Sequence, residues 1–193
     1  MRSIYYQRAI LTAHPSTPCD AVQSLAVAVR MTQTGTQVLE FDLEADLSRL
    51  SIPAIRAPQR AEELWKHTCF EAFVSAADQG YRELNFSPST EWAVYSFTGY
   101  RTGMAAAELQ SPPTVSVRQE PGRLYMLTAA RLPAHSAGVP PAKSGPLRVA
   151  LAAVIEQSDG GLSYWALRHP PGKPDFHHPE AFALTVSFDS GTP

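Results

Sequence analysis

The chain has 193 residues, of which 44% are hydrophobic and 18% are charged, with a formal net charge of −2 and an isoelectric point near 6.3. This composition is typical of a globular protein, and the length predicts a single domain over residues 1–193. The lack of a net positive charge argues against nucleic-acid binding, which needs basic residues to neutralise phosphates.

The first residues, MRSIYYQRAILTAHPST, contain no apolar run of the length that a secretory signal requires, because Gln7 and Arg8 interrupt it. No stretch approaches the roughly 18 apolar residues of a transmembrane helix. We therefore expect a cytoplasmic protein without a membrane partner, in which Cys19 and Cys69 remain thiols. The sequence leaves the oligomeric state open.

Strand-like segments separated by turn residues follow one another along the chain. In VLEFDLEAD (38–46), apolar and polar residues alternate with the period of two that a half-buried strand requires. This segment is predicted to form a hairpin with SLAVAVRMT (24–32), turning at Gly35. A proline-rich stretch then leads to the next group of strands.

Later segments of strand length are HTCFEAFVS (67–75), YRELNFS (81–87), WAVYSFTGY (92–100), TVSVRQE (114–120), RLYMLTAARL (123–132), PLRVALAAVIEQ (146–157), LSYWALRH (162–169) and AFALTVSF (181–188). Between them, MAAAEL (104–109) predicts a helical turn and SAGVPPAKSGP (136–146) a flexible loop. Roughly ten strands at this spacing predict an all-β fold, an antiparallel β-sandwich of jelly-roll type with one or two short helical turns.

A polar face is predicted on the strands between residues 68 and 86. Strand alternation places Glu71 and Phe73 on one face, and Tyr81, Glu83 and Asn85 on one face of the next segment. If these faces align, aromatic rings and hydrogen-bonding groups together suit a polyhydroxylated ligand. The alternative is an ordinary solvated face with one buried carboxylate paired to an arginine.

A zinc site is a second interpretation of this region. His67, Cys69 and Glu71 occupy alternate positions, so in a strand they would share a face and could ligate the metal. The spacings typical of zinc sites, such as C-x-x-C or H-E-x-x-H, do not occur. A packed histidine and a buried free cysteine are the alternative.

Near the C-terminus, HPPGKPDFHHPEAF (169–182) combines histidines with Lys173, Asp175 and four prolines. The prolines predict a rigid loop that presents Lys173, Asp175 and a histidine such as His177 to a ligand. In the alternative interpretation Asp175 caps a helical turn and the histidines bond to neighbouring carbonyl groups.

Several single residues are candidates for ligand contact. Trp65 is the best candidate for an exposed aromatic platform, whereas tryptophans are more often packed in a core. Arg101, at a strand exit, could bind an anionic group, and Met104 could serve as a haem ligand. The chain contains no nucleophile-elbow, phosphate-loop or dinucleotide motif, which lowers the expectation of catalysis.

At LWKHTCFEAFVS…YRELNFSPSTEWAVYSFTGYRTGM and YWALRHPPGKPDFHHPEAFAL, the chain resembles bacterial DOMON-like domain proteins, of the superfamily that includes family 9 carbohydrate-binding modules. The resemblance covers nearly the whole chain and implies a jelly-roll β-sandwich. Relatives bind sugars, or haem through methionine with histidine or lysine. Trp65 and Glu71 match the tryptophan-then-glutamate segment of the sugar-binding modules, and Trp92 or Trp165 is the candidate for a second ring.

The leading hypothesis is a non-catalytic module for a small carbohydrate or sugar-like ligand. The ligand-binding residues are then predicted to be Trp65, His67, Glu71, Glu83, Asn85, Arg101, Trp165, Lys173, Asp175 and His177. No cofactor is firmly predicted. A haem module would use Met104 with His67, His169, His177 or His178, and a metal-dependent enzyme would require convergence of His67, Glu71, Asp175 and His177. The sugar hypothesis requires that the Trp65–Glu71 segment and the Lys173–His178 turn wall one common cavity.

Overall fold

The computed structural model describes residues 3–32, 36–76, 80–131 and 146–186. In these ranges the chain forms two antiparallel sheets around a common core, which confirms the predicted all-β sandwich. Helical structure in the described residues is limited to three single 3-10 turns, at Leu47–Arg49, Leu64–Lys66 and Pro179–Ala181. None of these is long enough and apolar enough to cross a membrane. The jelly-roll type of connectivity stays a prediction.

The described residues form thirteen strands, ten of them with five residues or more, in agreement with the predicted number. In chain order these are β1 (Ser3–Ile10), β2 (Thr12–Ala13), β3 (Val22–Thr32), β4 (Thr36–Ala45), β5 (Cys69–Ala76), β6 (Tyr81–Phe86), β7 (Trp92–Phe97), β8 (Ala105–Ala106), β9 (Thr114–Glu120), β10 (Arg123–Arg131), β11 (Leu147–Glu156), β12 (Leu162–Ala166) and β13 (Leu184–Val186).

The smaller sheet has the order β1-β3-β4-β10-β9, and the larger has the order β2-β12-β11-β5-β6-β7-β8, with β13 also paired to β11. The predicted hairpin of β3 and β4 forms, with Leu25 opposite Leu43 and Val29 opposite Leu39. Its predicted turn at Gly35 lies outside the described residues.

Two minor expectations have different outcomes. The predicted helical turn at 104–109 is wrong, because Ala105 and Ala106 instead extend the larger sheet by pairing with Ser96 and Tyr95 of β7. An alanine run has high helix propensity, but two residues beside an open sheet edge form ladder bonds more readily than an isolated turn. The predicted flexible loop at 136–146 lies outside the described residues, apart from its last position.

The main core lies between the sheets and follows the alternation read from the sequence. In β4, Leu39, Phe41 and Leu43 are buried, whereas Glu40 and Asp42 point to the outside of the smaller sheet. From the larger sheet, residues such as Phe70 of β5 pack against them, with the rings of Phe41 and Phe70 4.9 Å apart. Burial of this apolar surface is the main stabilising contribution to the fold.

The larger sheet is also buried on its outer face, where a second apolar cluster forms. Phe73 and Phe97 of the sheet contact side chains from loops that cross it, including Leu64, Phe176 and Phe182. All six residues of β6 are therefore buried, although only alternate ones face the main core. The outer face of the larger sheet is thus a covered surface.

Candidate functional site

The polar faces of β5 and β6 are aligned on the covered side of the larger sheet. The antiparallel register places Glu71 opposite Asn85 and Phe73 opposite Glu83, so the two polar faces that the sequence predicted share one surface. The strand begins at Cys69, and alternation turns Glu71 and Phe73 away from the main core. Two carboxyl groups from neighbouring strands therefore lie beneath the covering loops.

Glu71 and Glu83 are only 2% and 4% exposed. The Asn85 Nδ2 donates to Glu83 Oε1 at 2.7 Å, whereas Glu71 Oε1 has no hydrogen-bond partner. Burial raises the pKa of both carboxyl groups, and the charge of Glu83 helps to raise the pKa of Glu71 well above its ordinary value. None of the ion pairs in the described ranges includes Glu71, so the alternative of an arginine-paired carboxylate does not apply to it.

His177 reaches the carboxyl groups from the C-terminal loop. Its Nδ1 lies 2.6 Å from the Tyr81 hydroxyl, and its Nε2 lies 3.8 Å from Glu83 Oε2. The Tyr81 hydroxyl also accepts from the backbone N–H of Arg101 at 3.3 Å, so it links His177 to the loop after β7. Burial, helped by the Arg101 charge, lowers the pKa of His177 to about 4, so the imidazole is neutral at pH 7.

Aromatic rings hold His177 in this position. Phe73, Tyr81 and Phe97 surround the imidazole, with ring centroids 5.1, 5.7 and 5.2 Å away and with steeply inclined planes. Tyr81 and Phe97 stack on each other at 4.6 Å. This packing fixes one end of the proline-rich loop on the sheet.

Arg101 comes from the loop after β7 and is paired with the same C-terminal segment. Its Nη2 donates to Asp175 Oδ1 at 2.7 Å, and the Tyr100 hydroxyl donates to Oδ2. Burial alone would raise the pKa of Asp175, but the two hydrogen bonds outweigh it and hold that pKa below its ordinary value. The loop turns sharply at Gly103, where φ is +64° and a Cβ would lie 2.2 Å from Thr98 Oγ1.

The C-terminal segment ends in the 3-10 turn Pro179–Ala181. The His178 side chain accepts from the Glu180 N–H and caps this turn, so the expectation that Asp175 provides the cap is wrong. Asp175 instead accepts from the His177 N–H at 3.1 Å, two residues ahead. This bond orients Asp175 toward Arg101 and leaves His178 to begin the turn.

The covering segments form the walls of a cavity of about 320 Å³ above the two carboxyl groups. It is lined by Trp65, Glu71, Glu83, Phe97, Arg101, Met104, Val154, Tyr164, Pro174, Phe176 and His177. Trp65 is half-buried and packs edge-on against Tyr95, with ring centroids 5.7 Å apart. The Trp65–Glu71 segment and the Lys173–His178 turn therefore meet at one cavity.

Five predicted site residues lie in the cavity wall: Trp65, Glu71, Glu83, Arg101 and His177. Two more lie directly behind it, since Asn85 bonds to Glu83 and Asp175 bonds to Arg101. These two can orient wall residues without themselves facing the cavity.

The remaining predicted site residues lie elsewhere. His67 is 64% exposed and its Nδ1 lies 2.9 Å from Glu156 Oε2, while Lys173 is exposed outside the cavity lining. Trp165 is 7% exposed and belongs to the main core. Its neighbour Tyr164 lines the cavity, because consecutive strand residues point to opposite faces.

The sequence interpretation missed most of the apolar wall. Phe97, Val154 and Tyr164 lie on outward positions of β7, β11 and β12, and Pro174 and Phe176 come from the loop above. Alternation separates the two faces of each strand but does not tell which face is inward. The order of the strands in the sheet is needed to find the wall, because β11 and β12 lie on one side of β5, whereas β6 and β7 lie on the other.

The predicted metal ligands do not converge. Within the described ranges, no group of three or more His, Cys, Asp or Glu side chains could hold a metal ion. His67 precedes the strand, is exposed and lies 2.9 Å from Glu156, whereas Cys69 is fully buried, which raises the pKa of its thiol well above its ordinary value. The predicted zinc set and the set proposed for a metal-dependent enzyme are therefore not assembled.

The predicted haem ligands do not fit an iron atom as they lie. His67 is paired with Glu156, the His169 Nε2 lies 2.8 Å from the Thr12 carbonyl oxygen, and His178 caps its turn. Met104 and His177 both line the cavity. However, both nitrogens of His177 face protein groups, the Tyr81 hydroxyl and the Glu83 carboxyl.

The fold and the cavity together define a β-sandwich protein with a partly covered cavity on the outer face of its larger sheet. The sequence matches no protein-family model, and a comparison with curated proteins gives no match. The fold is similar to the crystal structure of a proposed carbohydrate-binding protein from Bacteroides uniformis, with a TM-score of 0.65 and 18% sequence identity. The similarity covers 96% of this chain and 87% of that one, and at this identity it concerns the fold.

Proposed function

We propose that the protein is a ligand-binding module whose cavity holds a small carbohydrate or sugar-like molecule. The observation that carries this proposal is the combination of two buried carboxyl groups with aromatic walls in one cavity. Trp65, Glu71, Glu83, Arg101 and His177 would contact the ligand.

The walls suit the two kinds of surface that a sugar presents. Aromatic rings such as Trp65, Tyr164 and Phe176 can cover the apolar C–H patches of a sugar ring. Carboxyl, imidazole and guanidinium groups can bond to its hydroxyls, since Glu83 can accept, Arg101 can donate and a neutral imidazole such as that of His177 can do either through its two nitrogens. The cavity therefore offers both parts of sugar recognition.

The size of the cavity limits the ligand. Its volume of about 320 Å³ is at the lower end of the roughly 300–1,000 Å³ of small-molecule sites. A ligand of one or two rings suits this volume better than a polysaccharide chain. The Arg101–Asp175 pair crosses from one covering loop to the other beside the cavity and would help to enclose the ligand.

Two likenesses support the proposal. The fold neighbour is a proposed carbohydrate-binding protein. The resemblance of the sequence to DOMON-like domains and to sugar-binding modules points to the same class of ligand.

Tryptophan fluorescence offers a direct test, because Trp65 lies in the cavity wall and Trp165 lies in the main core. The purified protein is titrated with monosaccharides, disaccharides and nucleotide sugars. We expect at least one of them to change the emission saturably. The change should persist in Trp165→Phe and disappear in Trp65→Phe.

A panel that leaves the emission unchanged at millimolar ligand would contradict the proposal. So would a response that survives in Trp65→Phe, because the ligand would then bind away from the cavity.

A further inference from the structure

The side chains around the cavity include more acidic groups than positively charged ones. From the sheet, β5 contributes Glu71 and β6 contributes Glu83, and from the covering loops come Arg101, Asp175 and His177. Arg101 is already engaged by Asp175 at 2.7 Å. His177 is neutral at pH 7, since its pKa is about 4. Ionisation of both carboxyl groups would thus leave the cavity negative.

The other titratable groups that face the carboxyls do not supply a positive charge. Burial raises the pKa of Tyr81 to about 12 and also raises the pKa of Tyr95, so both phenols are neutral. The buried thiol of Cys69 is likewise held protonated, because its pKa is raised well above its ordinary value. Tyr164 contributes a phenol and Met104 a thioether to the lining.

Glu71 is the group that most requires a partner. It is 2% exposed, it lines the cavity, and its Oε1 has no hydrogen-bond partner. A buried polar atom without a partner is costly, so a ligand that supplies a donor to it gains affinity. Glu83 has one bond from Asn85 and can accept more.

We propose that the ligand is an amino sugar, whose ammonium group binds between Glu71 and Glu83 while its ring packs against the aromatic wall. This inference rests on the proposed function and narrows its ligand class. An ammonium group has three donors, enough for the free Glu71 oxygen and for Glu83. Its charge also stabilises two ionised carboxyl groups that burial otherwise disfavours.

The aromatic wall of the cavity would also attract the positive charge of an ammonium group. Trp65, Phe97, Tyr164 and Phe176 all line the cavity, and the face of an aromatic ring attracts a cation. A neutral sugar would use these rings only through its C–H patches. A cationic sugar gains from both the rings and the carboxylates.

Proton exchange distinguishes a cationic from a neutral ligand. Before binding, burial favours the protonated form of each carboxyl group, because it raises the pKa of both. An ammonium ion favours the ionised form instead, so its binding should release protons to the buffer. A neutral sugar leaves the proton in place, with Glu71 acting as an uncharged acid.

The test is calorimetric titration at pH 6.5 with D-glucosamine, D-glucose, N-acetyl-D-glucosamine and cyclohexylamine, in two buffers of different ionisation enthalpy. An amino group is mostly protonated at this pH. We expect D-glucosamine to bind at least about tenfold more tightly than D-glucose and N-acetyl-D-glucosamine. Its apparent enthalpy should depend on the buffer, which reports proton release.

Glu71→Gln separates the two roles of this residue, because glutamine resembles the protonated acid but cannot ionise. We expect this variant to lose at least about tenfold in affinity for D-glucosamine and to retain D-glucose binding. Asp42→Asn, on the exposed face of the other sheet, is the matched control and should bind as the wild type does.

The outcomes separate the inference from the proposed function. If D-glucose or N-acetyl-D-glucosamine binds as tightly as D-glucosamine, the ammonium inference is overturned and carbohydrate binding is supported. If only cyclohexylamine binds, or if nothing binds, both are overturned. Equal loss of D-glucose and D-glucosamine binding in Glu71→Gln would also overturn the inference, because Glu71 would not be distinguishing charge.

Discussion

The outer faces of the two sheets carry similar residues in opposite environments. The smaller sheet presents Tyr6, Arg8, Glu40, Asp42 and Tyr125 around a groove of about 310 Å³. There Asp42 accepts two hydrogen bonds from Arg123 at 2.9 Å and lies 3.5 Å from Arg8. None of the loops that the structure describes buries this face, and Tyr6 is 59% exposed.

On the larger sheet, loops cover the corresponding face. Glu71 and Glu83 are buried there, and Arg101 is held by Asp175 at the edge of the cavity. A carboxylate in water with a flexible arginine partner contributes about 0–1 kcal/mol. Burial favours the protonated form of a carboxyl group that has no cation beside it. A ligand that enters the cavity can then bond to this group in place of water. The covering loops, rather than the residue types, thus distinguish the candidate site from an ordinary sheet surface.

The largest effect that should separate the two faces concerns packing. Phe73 is fully buried beneath Phe176, Phe182 and His177, so Phe73→Ala should reduce the free energy of unfolding by about 3–5 kcal/mol. Tyr6→Ala removes an exposed ring and should cost about 0.5 kcal/mol. Urea denaturation measures both. Similar losses for the two variants would mean that the loops do not cover the larger sheet in solution.

A smaller effect concerns the pH dependence of stability. Because the pKa of Glu71 is raised in the folded state, the folded protein keeps a proton that the unfolded chain loses above about pH 4.5. The free energy of unfolding therefore falls as the pH rises from that value toward the folded pKa, by up to about 1.4 kcal/mol per pH unit. Glu71→Gln should flatten this slope.

Asp42→Asn is the control for that measurement, because Asp42 lies on the uncovered face with two arginine partners. It should lower stability by at most about 1 kcal/mol and keep the wild-type slope. The urea midpoint is followed between pH 5 and pH 8 for all three proteins. An unchanged slope in Glu71→Gln would show that this carboxyl group ionises as it does in water.

The fold was predictable because alternation is a local property. The polar and apolar positions of 38–43 gave the faces of β4, and those of 69–86 gave the faces of β5 and β6, whereas the register that places Glu71 opposite Asn85 came from the structure. Alternation did not specify which face of β12 is inward, so Trp165 was expected where Tyr164 lies. Neighbouring residues of a strand point to opposite faces of the sheet, so a shift of one position exchanges the two faces. Only the pairing of β12 with β11 decides which of them faces the core.

The cover of the site could not be predicted, because it depends on contacts between distant segments. Arg101 and Asp175 are 74 positions apart and meet only when two irregular loops cross the sheet. The prolines of residues 169–182 indicated that this loop is rigid, but they did not indicate over which part of the sheet it runs. A non-local contact also explains why the predicted zinc ligands do not meet. His67 lies beside Glu156, which is 89 positions away, instead of beside Cys69 and Glu71.

A crystal structure of the protein soaked with the sugar that binds most tightly is the most direct test. We expect ring density in the cavity between Trp65 and the carboxyl groups of Glu71 and Glu83, with the Arg101–Asp175 pair at its edge. Sugar density on the uncovered face of the smaller sheet, with none in the cavity, would contradict it.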